Sequence, residues 1–344
     1  MNGIGDQVAD YEHDLATRLD VRHVIATSSG TTAIHTALYA AGIRPGDEVL
    51  VPALSVVMTA SPIIHLGARP VAVDSTPDGT GLDLDDLAAK TGPRTHAIVP
   101  VLLWGRADPH ADLLLDHAHR HRLAVVVDAC QAIGTARNGR QVGLDATAAC
   151  FSTHANKILA TGEGGFVATD HDTIADQARA YRSHWSPAPP GEDPLARPAQ
   201  NFRLAAPLAA LGRDQLRHLD AHLHRRRHQT SLFLDQLDGA PGLDPAPAVD
   251  GWNGYSPVVR LHLPRPRAFS EHLAACGVPN STGTFRLIPL DQRAVFADHR
   301  HPPCRTAAAF LDSTLAVALT AADDDHIRRC AATITKEAAR WADA

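Results

Sequence analysis

Between residues 23 and 169, short apolar runs alternate with stretches of helical periodicity, and this alternation constrains the fold more tightly than any other feature of the chain. Residues 23–27, 48–51, 70–74, 97–102 and 124–128 read as strands, with helices at 30–41, 57–66 and 109–121 between them. Strands separated by helices need crossover connections, so neighbours run parallel and both faces of the sheet are covered. The rhythm predicts an α/β fold with a mostly parallel, doubly wound sheet. Residues 148–151 and 165–169 are joined by a loop alone, which predicts one locally antiparallel pair. Ligands in such sheets sit at the carboxyl ends of the strands.

A chain of 344 residues exceeds what one core usually serves. Residues 5–19 read as an amphipathic helix, with Val8, Tyr11, Leu15 and Leu19 at helical spacing. Residues 186–198 are proline-rich and read as an irregular loop, followed by a long helical region over 207–237. Prolines at 241, 245 and 247 end that region and mark the expected junction. The expectation is a large domain over 1–240 and a small α+β domain over 241–344. The small domain should hold a strand at 258–263 and helices at 266–276, 304–311 and 323–342.

The formal charge of −6 offers no attraction for nucleic acid or an anionic membrane. No apolar run approaches bilayer length, and the first residues carry neither a basic nor an apolar leader segment, so a cytoplasmic location is expected. Five scattered cysteines without a CxxC pair read as reduced thiols, not as a disulfide frame or zinc site. The histidine groups at 117, 119, 121 and at 222, 224, 228 sit among arginines, whose charge disfavours a divalent ion; they read as solvated faces, and no metal is expected.

Of the 32 basic residues only three are lysine: Lys90, Lys157 and Lys336. In such a chain a lysine held off the surface is kept for amine chemistry, because arginine cannot shed its proton to form an imine.

Three segments at strand ends carry candidate chemistry. Thr27-Ser28-Ser29-Gly30-Thr31-Thr32-Ala33 opens a helix, so it is either an anion site or a plain helix cap. Val125-Val126-Val127-Asp128 ends a buried strand on a carboxylate, which needs a cationic partner: a protonated pyridine, a metal or a salt bridge. Phe151-Ser152-Thr153-His154-Ala155-Asn156-Lys157 leads into Thr161-Gly162-Glu163-Gly164-Gly165, placing a rare lysine on a glycine-rich loop.

These segments, in this order and spacing, resemble the DegT/DnrJ/EryC1/StrS family of pyridoxal 5′-phosphate (PLP)-dependent aminotransferases, of fold type I. Further matches are Gly46-Asp47-Glu48-Val49, Arg69-Pro70-Val71-Ala72-Val73-Asp74, Asp128-Ala129-Cys130-Gln131 and Asn201-Phe202-Arg203, and the likeness runs from about Gly5 to Gln215. The resemblance implies that Lys157 holds PLP as a Schiff base and later shuttles the proton. It also implies that Asp128 pairs with the pyridine nitrogen and that Gln131 reaches the phenolic oxygen. Gly30, Thr31, Thr32 and Ser152 would cradle the phosphate, with Asn201 arriving from the partner subunit of a homodimer.

The activity implied is transfer of an amino group from L-glutamate or L-glutamine to a keto sugar nucleotide or related ketone in natural-product biosynthesis. The family's ring-stacking aromatic is replaced by Val56, within Pro52-Ala53-Leu54-Ser55-Val56. The chain also starts almost at its first helix, some 20 to 30 residues later than the family pattern. A substrate segment of the small domain is represented only by Gly283-Thr284-Phe285-Arg286-Leu287. These departures keep a second reading open: another PLP reaction, such as elimination, replacement, decarboxylation or C–C bond formation. A third reading is a non-catalytic regulatory or scaffold relative. Arg203, Arg286, His154 and His184 are candidate contacts for an anionic substrate.

Overall fold

The structure is a computed structural model that describes residues 6–249, 251–282, 287–299, 302–319 and 323–342. The apolar runs form β1 (His23–Thr27), β2 (Glu48–Pro52), β3 (Arg69–Val73), β4 (Thr95–Ile98) and β5 (Ala124–Asp128). A two-residue hairpin, β6 (Ala136–Arg137) and β7 (Arg140–Gln141), stands apart from β8 (Ala148–Ser152) and β9 (Gly165–Thr169). The seven long strands make one sheet in the order β1-β9-β8-β5-β4-β2-β3. All pairs from β8 to β3 are parallel, and β9 alone runs against both of its neighbours. This is the mostly parallel sheet that the alternation predicted, with the expected antiparallel pair at 148–151 and 165–169; the second antiparallel pairing, β9 with β1, was not expected.

Successive residues of a strand point to opposite faces, and both faces here are covered by helices. Leu50, Val125 and Val127 join one apolar cluster with Tyr11 and Leu15 of α1 (Asp6–Leu19). Val49, Val51 and Val126 join the other, with Ile34 and Leu38 of α2 (Gly30–Ala40). Helices α3 (Val57–His65), α4 (Leu84–Lys90) and α5 (Ala111–His121) complete the crossovers, and α6 (Asp172–Tyr181) follows the last strand, β9. The helical region expected over 207–237 is two helices, α7 (Ala206–Arg217) and α8 (Leu219–Leu237), because His218 leaves the helical conformation at φ −101° and ψ 2°.

A second, four-stranded antiparallel sheet follows in the order β10-β11-β13-β12, where β10 is Leu243–Pro245, β11 Val258–Leu261, β12 Asn280–Thr282 and β13 Thr314–Val317. Helices α9 (Pro266–Ala275), α10 (Arg305–Asp312) and α11 (Asp324–Ala342) belong to this part of the chain. Its core joins Val259, Leu261, Leu315 and Val317 to Phe233 and Leu237 at the end of α8. Asp74, just after β3, accepts hydrogen bonds from the Thr306 and Ala307 amides at 3.0 and 2.7 Å, so the large sheet caps the start of α10.

Three local expectations need correction. The strand expected over 97–102 ends at Ile98, since Pro100 has no amide to give to a ladder. Helix α4 was not expected, because Leu87 is its only buried residue and leaves no apolar stripe to read. His117 is not on a solvated face: it is buried, with Nε2 2.9 Å from Thr91 Oγ1.

His35 makes a testable contribution to this core. It is buried on α2 with Nε2 3.0 Å from Tyr181 Oη and its ring stacked on His65. Burial, and secondarily the His65 charge, lower its pKa from 6.5 to about 4. The unfolded chain therefore binds more protons than the folded one between those values, and stability present above pH 6.5 is lost as pH falls toward about 4. The loss should be on the order of 2–3 kcal/mol. Urea denaturation at about pH 7 and about pH 5 should show a steeper decline for the native chain than for His35→Gln; parallel declines would refute it.

Candidate active site

A cavity of about 290 Å³ opens at the carboxyl ends of β5 and β8, against the first turn of α2. Gly30, Thr31, Val56, Asp128, Gln131, Ser152 and Lys157 all line it. The strand–helix alternation puts these ends on one edge of the sheet, which is why residues separated along the chain meet there.

The α2 end of the cavity is built by its cap. Ser29 Oγ accepts from the Thr32 amide at 3.1 Å, and Thr32 Oγ1 accepts from the Ser29 amide at 2.9 Å. That reciprocal pair engages the Thr32 hydroxyl, and Thr32 is not among the residues lining the cavity. Thr31 and Ser152 bring hydroxyls to it, beside a helix N-terminus that favours anions. A Cβ on Gly30 would lie 2.7 Å from Cys130 Sγ and 2.8 Å from Ser152 Cβ, so only glycine lets the helix approach these strand ends. A Cβ on Gly165 would meet Ser29 and Gly30 backbone atoms at 2.5–2.6 Å. Gly165→Ala should therefore push β9 off the cap, costing about 1–3 kcal/mol of stability and weakening anion binding there. Thermal melts with and without cofactor check this; an unchanged melt would show that the backbone gives way freely.

Asp128 is 4% exposed. Its Oδ2 accepts from Thr59 Oγ1 at 2.7 Å and its Oδ1 from the Cys130 amide at 3.1 Å. Ser55 Oγ stands 2.8 Å from Thr59 Oγ1 and extends the chain. Among the described residues no ion pair reaches Asp128, so a buried carboxylate faces the cavity without a counter-ion. Gln131 Oε1 accepts from the Trp104 backbone N–H at 2.6 Å, which leaves its NH2 as the donor for the cavity. Cys130 also lines the cavity; burial, then the Asp128 charge, push its thiol well above the usual range and keep it protonated.

Lys157 sits on the loop between β8 and β9. The loop is held by Lys157 N–H to His154 O at 2.8 Å, Ala155 N–H to Gly162 O at 2.8 Å and a Thr153–Thr161 hydroxyl contact at 2.7 Å. The amine itself donates to Tyr255 Oη at 3.2 Å and lies 4.9 Å from that ring's centroid. Neither Thr59, Ser55 nor Tyr255 had a distinguishing signal in the sequence.

The remaining candidates divide. His154 lines the cavity, with Nδ1 2.9 Å from Asn156 Oδ1 and Nε2 3.6 Å from Glu163. Asn201 is exposed and bridged to Ser183, and it does not line this chain's cavity; neither do Arg203 and His184, both exposed. Arg286 lies outside the described residues, as do its neighbours 283–285. Away from the cavity, His272, Cys276 and Glu337 stand close enough to share a metal ion, although His272 Nε2 is hydrogen-bonded to Glu337 at 2.9 Å.

The chain matches the family model of the DegT/DnrJ/EryC1/StrS aminotransferases over residues 1–335. It is 38% identical over 242 residues to the GDP-perosamine synthase of Caulobacter vibrioides, a stretch covering 69% of this chain and 63% of that protein. A pleiotropic regulatory protein of Geobacillus stearothermophilus is 35% identical over 298 residues, covering 86% of this chain and 78% of that one. The crystal structure of DesI with its TDP-sugar product superposes with a TM-score of 0.88 at 30% identity, over 98% of this chain and 86% of that one.

Proposed function

The chain belongs to the DegT/DnrJ/EryC1/StrS aminotransferase family, and we propose that it transfers an amino group from L-glutamate or L-glutamine to a keto sugar nucleotide or related ketone. The observation that carries this reading is the cavity itself. A buried carboxylate without a counter-ion, a primary amine and a capped helix N-terminus face one space of about 290 Å³. Those three groups match the three ends of pyridoxal 5′-phosphate, the family's cofactor: a ring nitrogen that carries a proton, an aldehyde and a phosphate.

In this reading Asp128 holds the proton on the ring nitrogen, oriented by Thr59 and the Cys130 amide. Gln131 donates its NH2 to the phenolic oxygen, while Gly30, Thr31 and Ser152 bind phosphate and the Ser29–Thr32 cap fixes the backbone they depend on. Bound there, the cofactor supplies an electron sink for the bond broken on the substrate carbon. Lys157 Nζ would carry the covalent link and, once released, would be the base that moves the proton of that carbon. Val56 lines the same cavity and would meet the ring without aromatic stacking. Asn201, exposed in this chain, supports a homodimer in which it completes the partner's phosphate site. We further take residues 1–240 and 241–344 as the two domains and place the protein in the cytoplasm. Among the described residues no helix is long and apolar enough to cross a membrane.

Two relatives bear on the substrate: a GDP-perosamine synthase and DesI, crystallised with a TDP-sugar. A keto sugar nucleotide is the acceptor these names support. Val56 favours a second reading, a different reaction on the same cofactor, because the bond that breaks depends on how the ring and substrate are held. L-Glutamate or L-glutamine added to the loaded protein distinguishes them. Transamination converts the cofactor absorbance to that of its amine form and releases one equivalent of the oxo acid. An unchanged spectrum with both donors would remove the proposal. A non-catalytic regulatory role is disfavoured by Lys157, Asp128, Gln131 and Ser152 lining one cavity.

A further inference from the structure

The Lys157 amine has a companion built into a different part of the chain. Tyr255 is only 6% exposed, and its hydroxyl lies 3.2 Å from Nζ, with the ring centroid 4.9 Å away. Its placement is heavily anchored. Asn253, fully buried, accepts the Tyr255 amide at 2.9 Å and gives its own NH2 to Gln131 O at 2.8 Å and Ile133 O at 2.9 Å. Thr230 Oγ1 holds Gly254 O at 2.9 Å, and Trp252 Nε1 holds Trp104 O at 3.0 Å. Segment 252–255 is thus tied to the two residues, Gln131 and Trp104, whose own contact orders the cavity wall. Such anchoring exceeds what packing one tyrosine ring requires.

We propose that Tyr255 is the resting partner of the Lys157 amine: whenever the amine is not covalently engaged, the phenol hydroxyl holds it at the cavity. This rests on Lys157 being the residue that carries the cofactor. The hydroxyl can accept from an ammonium or donate to a neutral amine, so it positions either form. The other titratable groups around the pair are Asp128 and Cys130 beside β5, His154 and Glu163 on the lysine loop, and Arg226 on α8, which feels Tyr255 electrostatically. Tyr255 therefore acts as a positioning residue through Lys157.

The test uses the full chain as native, Tyr255→Phe and Tyr255→Leu proteins. With cofactor removed, Lys157 acetylation at one pH is followed by peptide mass spectrometry. Loss of the hydroxyl should raise the acetylation rate several-fold in both Tyr255→Phe and Tyr255→Leu, since the amine is no longer hydrogen-bonded. With the cofactor converted to its amine form by the donor and excess donor removed, addition of the matching oxo acid as amino-group acceptor should restore the resting absorbance roughly tenfold more slowly in Tyr255→Phe than in the native chain, since the amine is no longer held in place. Tyr255→Phe is near-isosteric, so this second measurement decides the matter if Tyr255→Leu does not fold. Equal acetylation rates in all three proteins, or equal recovery rates in native and Phe proteins, would overturn the proposal. A borohydride-reduced cofactor found on a residue other than Lys157 would instead overturn the cofactor assignment beneath it.

Discussion

Lys157→Ala should leave a folded protein that takes up the cofactor without a covalent link and turns over at least ~10⁴-fold more slowly. The size follows from the two tasks that converge on one atom, covalent attachment and proton movement, neither of which a neighbour can assume. His154 is the nearest basic alternative on the loop, but Asn156 and Glu163 already surround its ring nitrogens. Folding should survive because the loop is held by its backbone and by the Thr153–Thr161 contact, not by the amine. Borohydride reduction followed by peptide mass spectrometry reads the link directly. A reduced cofactor still attached to the Lys157→Ala protein would end the assignment.

Asp128→Ala carries the next largest expected effect. Removing one partner of a buried charge pair costs about 3–5 kcal/mol, or roughly 10²–10⁴-fold in cofactor affinity. The alanine would also leave the Thr59 hydroxyl and the Cys130 amide without their acceptor. Asp128→Asn separates these contributions. It keeps a side-chain oxygen for one of those donors but removes the charge, so its affinity should fall nearly as far while its melting temperature changes little. Fluorescence titration of the cofactor gives the affinities. An asparagine protein that binds as tightly as the native chain would mean that no positive charge rests against residue 128.

What could be read in advance depended on whether the signal was local. Val125, Val126 and Val127 announce a buried strand wherever they occur, and Asp128 at its end was conspicuous because the residues before it are apolar. Lys157 stood out because the chain has almost no other lysine. Thr59 and Tyr255 had no such contrast. Thr59 is an ordinary helical hydroxyl that matters only because α3 lies beneath Asp128, and Tyr255 meets Lys157 across 98 residues of sequence. The Thr32 hydroxyl shows the converse. Its place in a helix-opening motif suited phosphate binding and capping equally, and the reciprocal contact with Ser29 shows it engaged in the cap. Helix α4 and buried His117 were missed for one reason: both pack through contacts too sparse to impose a periodic pattern.

The single antiparallel strand also bears on the order in which the molecule assembles. β8 and β9 pair across a connection of only twelve residues, 153–164, and that connection carries Lys157. Closing so short a loop is entropically inexpensive beside the 98-residue span to Tyr255. The reactive amine is therefore presented early, on a nascent hairpin, and its enclosure comes late. During synthesis the lysine would leave the ribosome well before the tyrosine that shelters it, so a growing chain passes through an interval in which its most reactive group is shaped but unguarded.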